Sequence, residues 1–207
     1  AGVGGAGRHW SAAAAAVSVF DAKADALALL DVLGLARAEV GVATDAPSWF
    51  HPGRSGTVRL GTQRVIGSFG EFHPAVLKML GAEGPLAGFE LILEVIPVPR
   101  ARPTKTKPPL ALSDHQPVRR DFAFVVAAGV AAERIVRAAE SADRKLIAAV
   151  SVFDVFSAAA LGEGMKSVAV EVTLQPTERT LTEQEIEAVS ARIIAEVTRV
   201  TGGSLRT

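Results

Sequence analysis

Gly164-Met165-Lys166-Ser167-Val168-Ala169-Val170-Glu171-Val172-Thr173-Leu174-Gln175 is the stretch on which the fold turns. Val168, Val170, Val172 and Leu174 recur at every second position, the period of a strand with one buried face. Ser167, Ala169 and Glu171 then lie on the opposite face. Immediately upstream, Leu146–Ser157 is a β-rich run in which Phe153 and Val155 make the natural core pair, leaving Asp154 and Phe156 on the other face. Further back, Arg120–Ala127 reads as a strand and Ala131–Glu140 as a helix. Downstream, Thr182–Val200 reads as a long helix with a capping box from Thr182 to Glu185. Its apolar stripe is Ile186, Val189, Ile193, Val197 and Val200, at spacings of three and four. Leu205 falls in a last short strand.

The resulting order, βαββαβ, is the ferredoxin-like arrangement, with two helices on one sheet face and the other face open. The first half also mixes α and β. Asp21 can cap a helix whose Leu29, Leu30 and Leu33 recur at helical spacing, with Gly34 as its stop. Val58–Leu60, Gly61-Thr62 and Gln63–Phe69 read as a hairpin. Pro74 opens a short helix that Gly81 ends, and Phe89–Ile96 alternates like a strand. The connections are short enough for antiparallel pairing, so the fold class is α+β. Between Pro97 and Pro109 lie five of the 11 prolines, with Arg100, Arg102, Lys105 and Lys107 among them. Proline fixes φ and removes donors, so this reads as an extended cationic linker. The expected division is therefore residues 1–96, a linker at 97–112, and a domain at 113–207.

Composition narrows the chemistry. The 207 residues carry 22 basic and 22 acidic side chains and no cysteine. Lack of cysteine excludes a disulfide framework, Cys-ligated zinc, an iron–sulfur cluster and a thiol nucleophile. Neutral charge argues against sequence-blind nucleic-acid binding and so against a histone-like DNA binder. The neutrality is the sum of a +2 half, residues 1–112, and a −2 half, residues 113–207. The chain starts at Ala1 with Met79 and Met165 its only methionines, as expected of a processed product or a piece of something longer. No run reaches the roughly 18 apolar residues of a spanning helix, and no targeting segment is visible. The expectation is a cytoplasmic protein without membrane contact.

Several motifs imitate sites. Gly2, Gly4 and Gly7 satisfy G-x-G-x-x-G, but only Ala1 precedes them, so the strand a dinucleotide fold needs is missing. His51 and His73 each precede a proline at an element boundary, without metal-ligand spacing, and read as structural. No nucleophile elbow, phosphate loop or paired-carboxylate motif appears, so no catalytic and no metal-binding residue is expected. The open face of the second half is more informative. Asp154, Phe156 and Ser167 place a carboxylate, a ring and a hydroxyl on neighbouring strands. A ring can stack on an unpaired base, a carboxylate can accept two donors from the Watson–Crick edge of guanine, and a hydroxyl adapts to either role. The same parity fits an ordinary surface, with Phe156 packed against another part of the chain.

A resemblance covers nearly the whole chain from about Trp10. Arg119-Arg120-Asp121-Phe122-Ala123-Phe124, Val152-Phe153-Asp154-Val155-Phe156, Gly164-Met165-Lys166-Ser167-Val168-Ala169, Arg179-Thr180-Leu181-Thr182 and Leu205-Arg206 follow in this order. Together they resemble the ferredoxin-fold anticodon-binding domain at the C-terminus of the bacterial phenylalanyl-tRNA synthetase β subunit. Val19-Phe20-Asp21-Ala22-Lys23, Phe50-His51-Pro52-Gly53-Arg54-Ser55 and Gly70-Glu71-Phe72-His73-Pro74 are similar to the end of that subunit's class II synthetase-like core. The resemblance implies an (αβ)₂ heterotetramer that uses ATP, Mg²⁺ and phenylalanine to charge tRNA(Phe), with the aminoacylation site in the α subunit. It implies no cofactor and no activity for this segment by itself. It also implies that Asp154, Phe156 and Ser167 read the first anticodon base, a guanine. The family has tyrosine where Phe156 stands, so a hydroxyl contact is lost there. Lys166, Arg179, Lys105 and Lys107 are candidate phosphate contacts, each equally suited to be a solvated charge. Two other readings are an amino-acid-sensing ferredoxin-like module and a purely structural subunit-docking module. An RNA-recognition motif of the same topology would want aromatics on the strand at Ser167–Val172, which has none.

Overall fold

The computed structural model describes residues 10–11, 16–35, 39–61, 63–98, 113–158 and 161–206. They fall into two compact units divided between Thr106 and Lys107. The linker expected at 97–112 lies almost wholly outside the described residues, as do Gly2, Gly4 and Gly7.

In the first unit, helix α1 (Val19–Val32) packs on an antiparallel sheet of order β1-β2-β3-β4, made from Val40–Ala43, Phe50–Leu60, Arg64–Phe72 and Ala87–Leu91. Ser18 caps α1, and the Asp21 carboxylate reciprocates by accepting the Ser18 N–H at 2.7 Å, so Asp21 serves three residues inside the cap rather than at it. The buried stripe is Ala22, Ala26 and Leu30, one turn apart, so of the three leucines the spacing favoured Leu30 is the one fully buried. Small side chains bring the helix close to the sheet, and Leu29 is left partly exposed. The hairpin of β2 and β3 is longer than its turn suggested. Strand β4 is shorter: Ile92 donates to the Ile66 carbonyl, and Leu93–Val95 then turns into a 3₁₀ segment. Helix α2 (Pro74–Leu80) is capped by His73, whose Nδ1 accepts the Ala75 N–H at 3.1 Å. His51 Nδ1 accepts the Gly53 N–H in the same way, so both histidines are structural.

The second unit follows the expected order: β5 (Val118–Ala127), α3 (Ala132–Ala142), β6 (Ile147–Phe156), β7 (Met165–Leu174), α4 (Glu183–Thr201) and β8 (Ser204–Leu205). The sheet order is β6-β7-β5-β8, antiparallel throughout. Phe122, Phe124 and Val126 of β5, with Val168, Val170, Val172 and Leu174 of β7, meet Ile135 of α3 and Ile186, Val189, Ile193 and Val197 of α4 in one core. Thr182 and Glu185 form the capping box of α4, as expected.

In the second unit the expected core pair of β6 fails. Phe153 and Val155 are not a core pair; they are 59% and 55% exposed. The ladder between β6 and β7 shifts by one residue between Val152 and Asp154, making Phe153 the extra residue of a bulge. Val155 pairs with Val168 on the helix side, but of β6 only Ile147 and Val150 pack against the shared core.

Candidate nucleic-acid interface

The bulge decides what the open face presents. Beyond it Asp154 pairs with Ala169 and Phe156 with Ser167, so all three expected base-reading residues share the helix-free face. Ala169 pairs in turn with Ala123, and Ser167 with Val125, on β5. Ser204 on β8 pairs with Val125. Two transverse rows result: Phe156–Ser167–Val125–Ser204, and Asp154–Ala169–Ala123, which Arg206 completes by donating its N–H to the Ala123 carbonyl at 2.7 Å.

Within the first row Phe156 is 44% exposed, a ring half presented to solvent. Ser167 is only 3% exposed as a residue, and its hydroxyl oxygen, which no side chain among the described residues engages, still reaches solvent. The Arg206 guanidinium sits 5.7 Å from the centroid of the Phe156 ring, a cation–π contact that reaches across the sheet from its opposite edge. Arg206 was absent from the expected site. Parity from the buried side of Leu205, together with the position of the last strand beside β5, was the signal that would have found it.

Of the candidate phosphate contacts, the two among the described residues do not gather here. Lys166 pairs with Val126 and so takes the helix-bearing face. Arg179 lies beyond the far end of β7, where both its terminal nitrogens engage Glu185, one at 3.0 Å. That contact, before the backbone and hydroxyl hydrogen bonds of Thr182, holds the Glu185 carboxyl down at about 2. Lys105 and Lys107 lie outside the described residues. Farther along the open face, Asp121 pairs with Glu171, and Arg119 reaches Glu171 at 3.7 Å. A surface with these acids beside one ring is suited to base edges more than to a run of phosphates. Among the described residues no group of three or more His, Asp or Glu side chains is placed to hold a metal ion. No helix among them is long and apolar enough to cross a membrane.

A βαββαβ sheet with one helix-free face defines a ferredoxin-fold domain, and residues 113–206 match the family described as the ferredoxin-fold anticodon binding domain. Residues 1–93 match the phenylalanyl tRNA synthetase beta chain CLM domain. The chain belongs to the phenylalanyl-tRNA synthetase beta-chain family. It is 55% identical over 199 residues to the phenylalanine–tRNA ligase beta subunit of Rhodospirillum rubrum. It is 56% identical over 203 residues to that of Bartonella henselae, and 57% over 203 residues to that of Rhodopseudomonas palustris. These matches cover 96%, 98% and 98% of this chain but 25% of each relative, so the chain spans about a quarter of their length.

Proposed function

We propose that this chain reads the anticodon of tRNA(Phe) as part of the β subunit of a cytoplasmic phenylalanine–tRNA ligase. The observation that carries the reading is the register that puts Asp154, Phe156 and Ser167 on one helix-free face, inside a domain of the anticodon-binding family. In this reading the Asp154 carboxylate accepts the N1 and N2 donors of a guanine, and Phe156 stacks on the base. The Ser167 hydroxyl supplies the remaining hydrogen bond. Residues 113–207 form the reading domain, residues 97–112 the linker, and residues 1–96 the part that docks the α subunit in an (αβ)₂ assembly. ATP and Mg²⁺ act in the α subunit of the whole enzyme. The described residues include no metal-holding cluster, and no step of base reading needs one.

The test compares binding of tRNA(Phe) with binding of a variant carrying another first anticodon base. Discrimination should be about 1–3 kcal/mol and should shrink in Asp154→Ala. Phe156→Ala should weaken binding by about 1–3 kcal/mol whatever the base, because stacking is tolerant of sequence. Equal binding of both RNAs by the unaltered chain would refute base reading.

A further inference from the structure

We propose that Arg206 is a fourth reading residue: it rests over the Phe156 ring while the site is empty and turns to the N7 and O6 acceptors of a guanine when one enters. The inference rests on the anticodon reading above and adds a determinant to it. Three observations lead there. Arg206 lies over the Phe156 ring, and Ser167 sits between Phe156 and Val125 in the same row. The Ser167 hydroxyl is engaged by no side chain among the described residues and stays open to solvent, so a guest can hydrogen-bond it without displacing a protein partner. Asp154 and Arg206 stand at the two ends of a row whose middle positions are Ala169 and Ala123.

Three strand spacings separate those ends, about 14 Å between backbones. Alanine leaves the middle of the row low. The result is a slot with an acceptor at one end, a forked donor at the other and a ring alongside. Among the four RNA bases, only guanine carries adjacent donors at N1 and N2 together with adjacent acceptors at N7 and O6, the pattern that a carboxylate and a guanidinium satisfy together. The cation–π contact with Phe156 is a weak competitor, because both partners are exposed. A base stacking on the same ring displaces it. Arg206 therefore exchanges one partner for another without leaving a charge stranded.

The experiment uses the full 207-residue chain and a tRNA(Phe) anticodon stem-loop with guanosine, inosine or 7-deazaguanosine at the first anticodon position, read by fluorescence anisotropy. Inosine lacks the N2 donors and 7-deazaguanosine lacks the N7 acceptor. The unaltered chain should bind both analogues about fivefold or more weakly than guanosine. Arg206→Ala should lose the 7-deazaguanosine penalty and keep the inosine penalty, while Asp154→Ala should show the reverse. If Arg206→Ala keeps the 7-deazaguanosine penalty, or the unaltered chain shows none while still rejecting inosine, the role of Arg206 is overturned and the anticodon reading stands. If the unaltered chain rejects neither analogue, nor adenosine at that position, both fall. Arg206 is exposed and its strand contact runs through its backbone N–H, so its truncation leaves the fold in place.

Discussion

The Glu185 carboxyl, held at about 2 against an ordinary value of 4.5, ties protonation to the stability of the second unit. Its causes are the Arg179 guanidinium first, then the Thr182 backbone N–H and hydroxyl. A carboxyl whose value is depressed on folding contributes stability that is complete above its unfolded value and is lost as pH falls through the folded one. The contribution of Glu185 should therefore fade as the pH drops from about 4.5 toward 2. Glu185→Gln removes it at every pH. Thermal unfolding should show the variant less stable than the parent at neutral pH, with the two curves meeting near pH 2. A gap that stays constant down to that pH would show that the charge is not what matters. Ser167 makes a contrasting case. No side chain among the described residues engages its hydroxyl, so Ser167→Ala should leave the unfolding free energy within about 0.5 kcal/mol of the parent and weaken guanine binding. Pattern reading placed Ser167 and its hydroxyl on the correct face but took that face as exposed, since alternation cannot show that the residue is nearly buried.

Elements were legible where one period ran without interruption and illegible where it broke. Strand β7, with its four buried apolar residues, and helix α4, with its capping box, match the reading of their stretches to within a residue or so. Strand β6 carries two register shifts, and alternation cannot reveal an inserted residue. Alternation built on Phe153 and Val155 as a core pair therefore put Asp154 and Phe156 on the correct face while misjudging the burial of the pair itself. Helix α1 was half legible for a different reason: Leu30 is buried as its spacing implied, but the rest of the stripe is Ala22 and Ala26, small residues whose burial hydrophobic spacing does not advertise. The junction of α4 with β8 shows how tightly an element end can be held. Gly202 takes a positive φ of 69° as the helix stop. A Cβ on the next residue, Gly203, would lie 2.5 Å from Val126 Cγ1 and 2.7 Å from the Val125 carbonyl oxygen. Gly203→Ala should therefore force β8 away from β5, destabilise the unit by about 1–3 kcal/mol and reduce RNA binding by misplacing Arg206. Chemical denaturation alongside anisotropy would separate the two effects. A core truncation elsewhere, Phe124→Ala, should cost about 3–5 kcal/mol, since its ring is wholly buried between the sheet and helices.

At the scale of the whole molecule, the two units each have a hydrophobic core of their own, one around Leu30, Val58 and Ile66 and the other around Phe124, Ile135 and Ile193. The shift in composition at Pro97–Pro109, where proline and cationic residues crowd together, was the sequence signal for the division. Supplied with ATP, Mg²⁺ and phenylalanine, this chain should charge no tRNA by itself; measurable aminoacylation would overturn the assignment of the chemistry to the α subunit. Calorimetric unfolding should resolve two transitions, and only the one belonging to residues 107–207 should move when an anticodon stem-loop is added. The alanine floor of the open face has a consequence for how such a chain tolerates change. Ala123 and Ala169 face away from the core, where substitution is usually free. A saturation scan scored by stability should rank them with ordinary surface positions. The same scan scored by guanine selectivity should confine both to the smallest residues, a size limit imposed by the guest instead of by the fold.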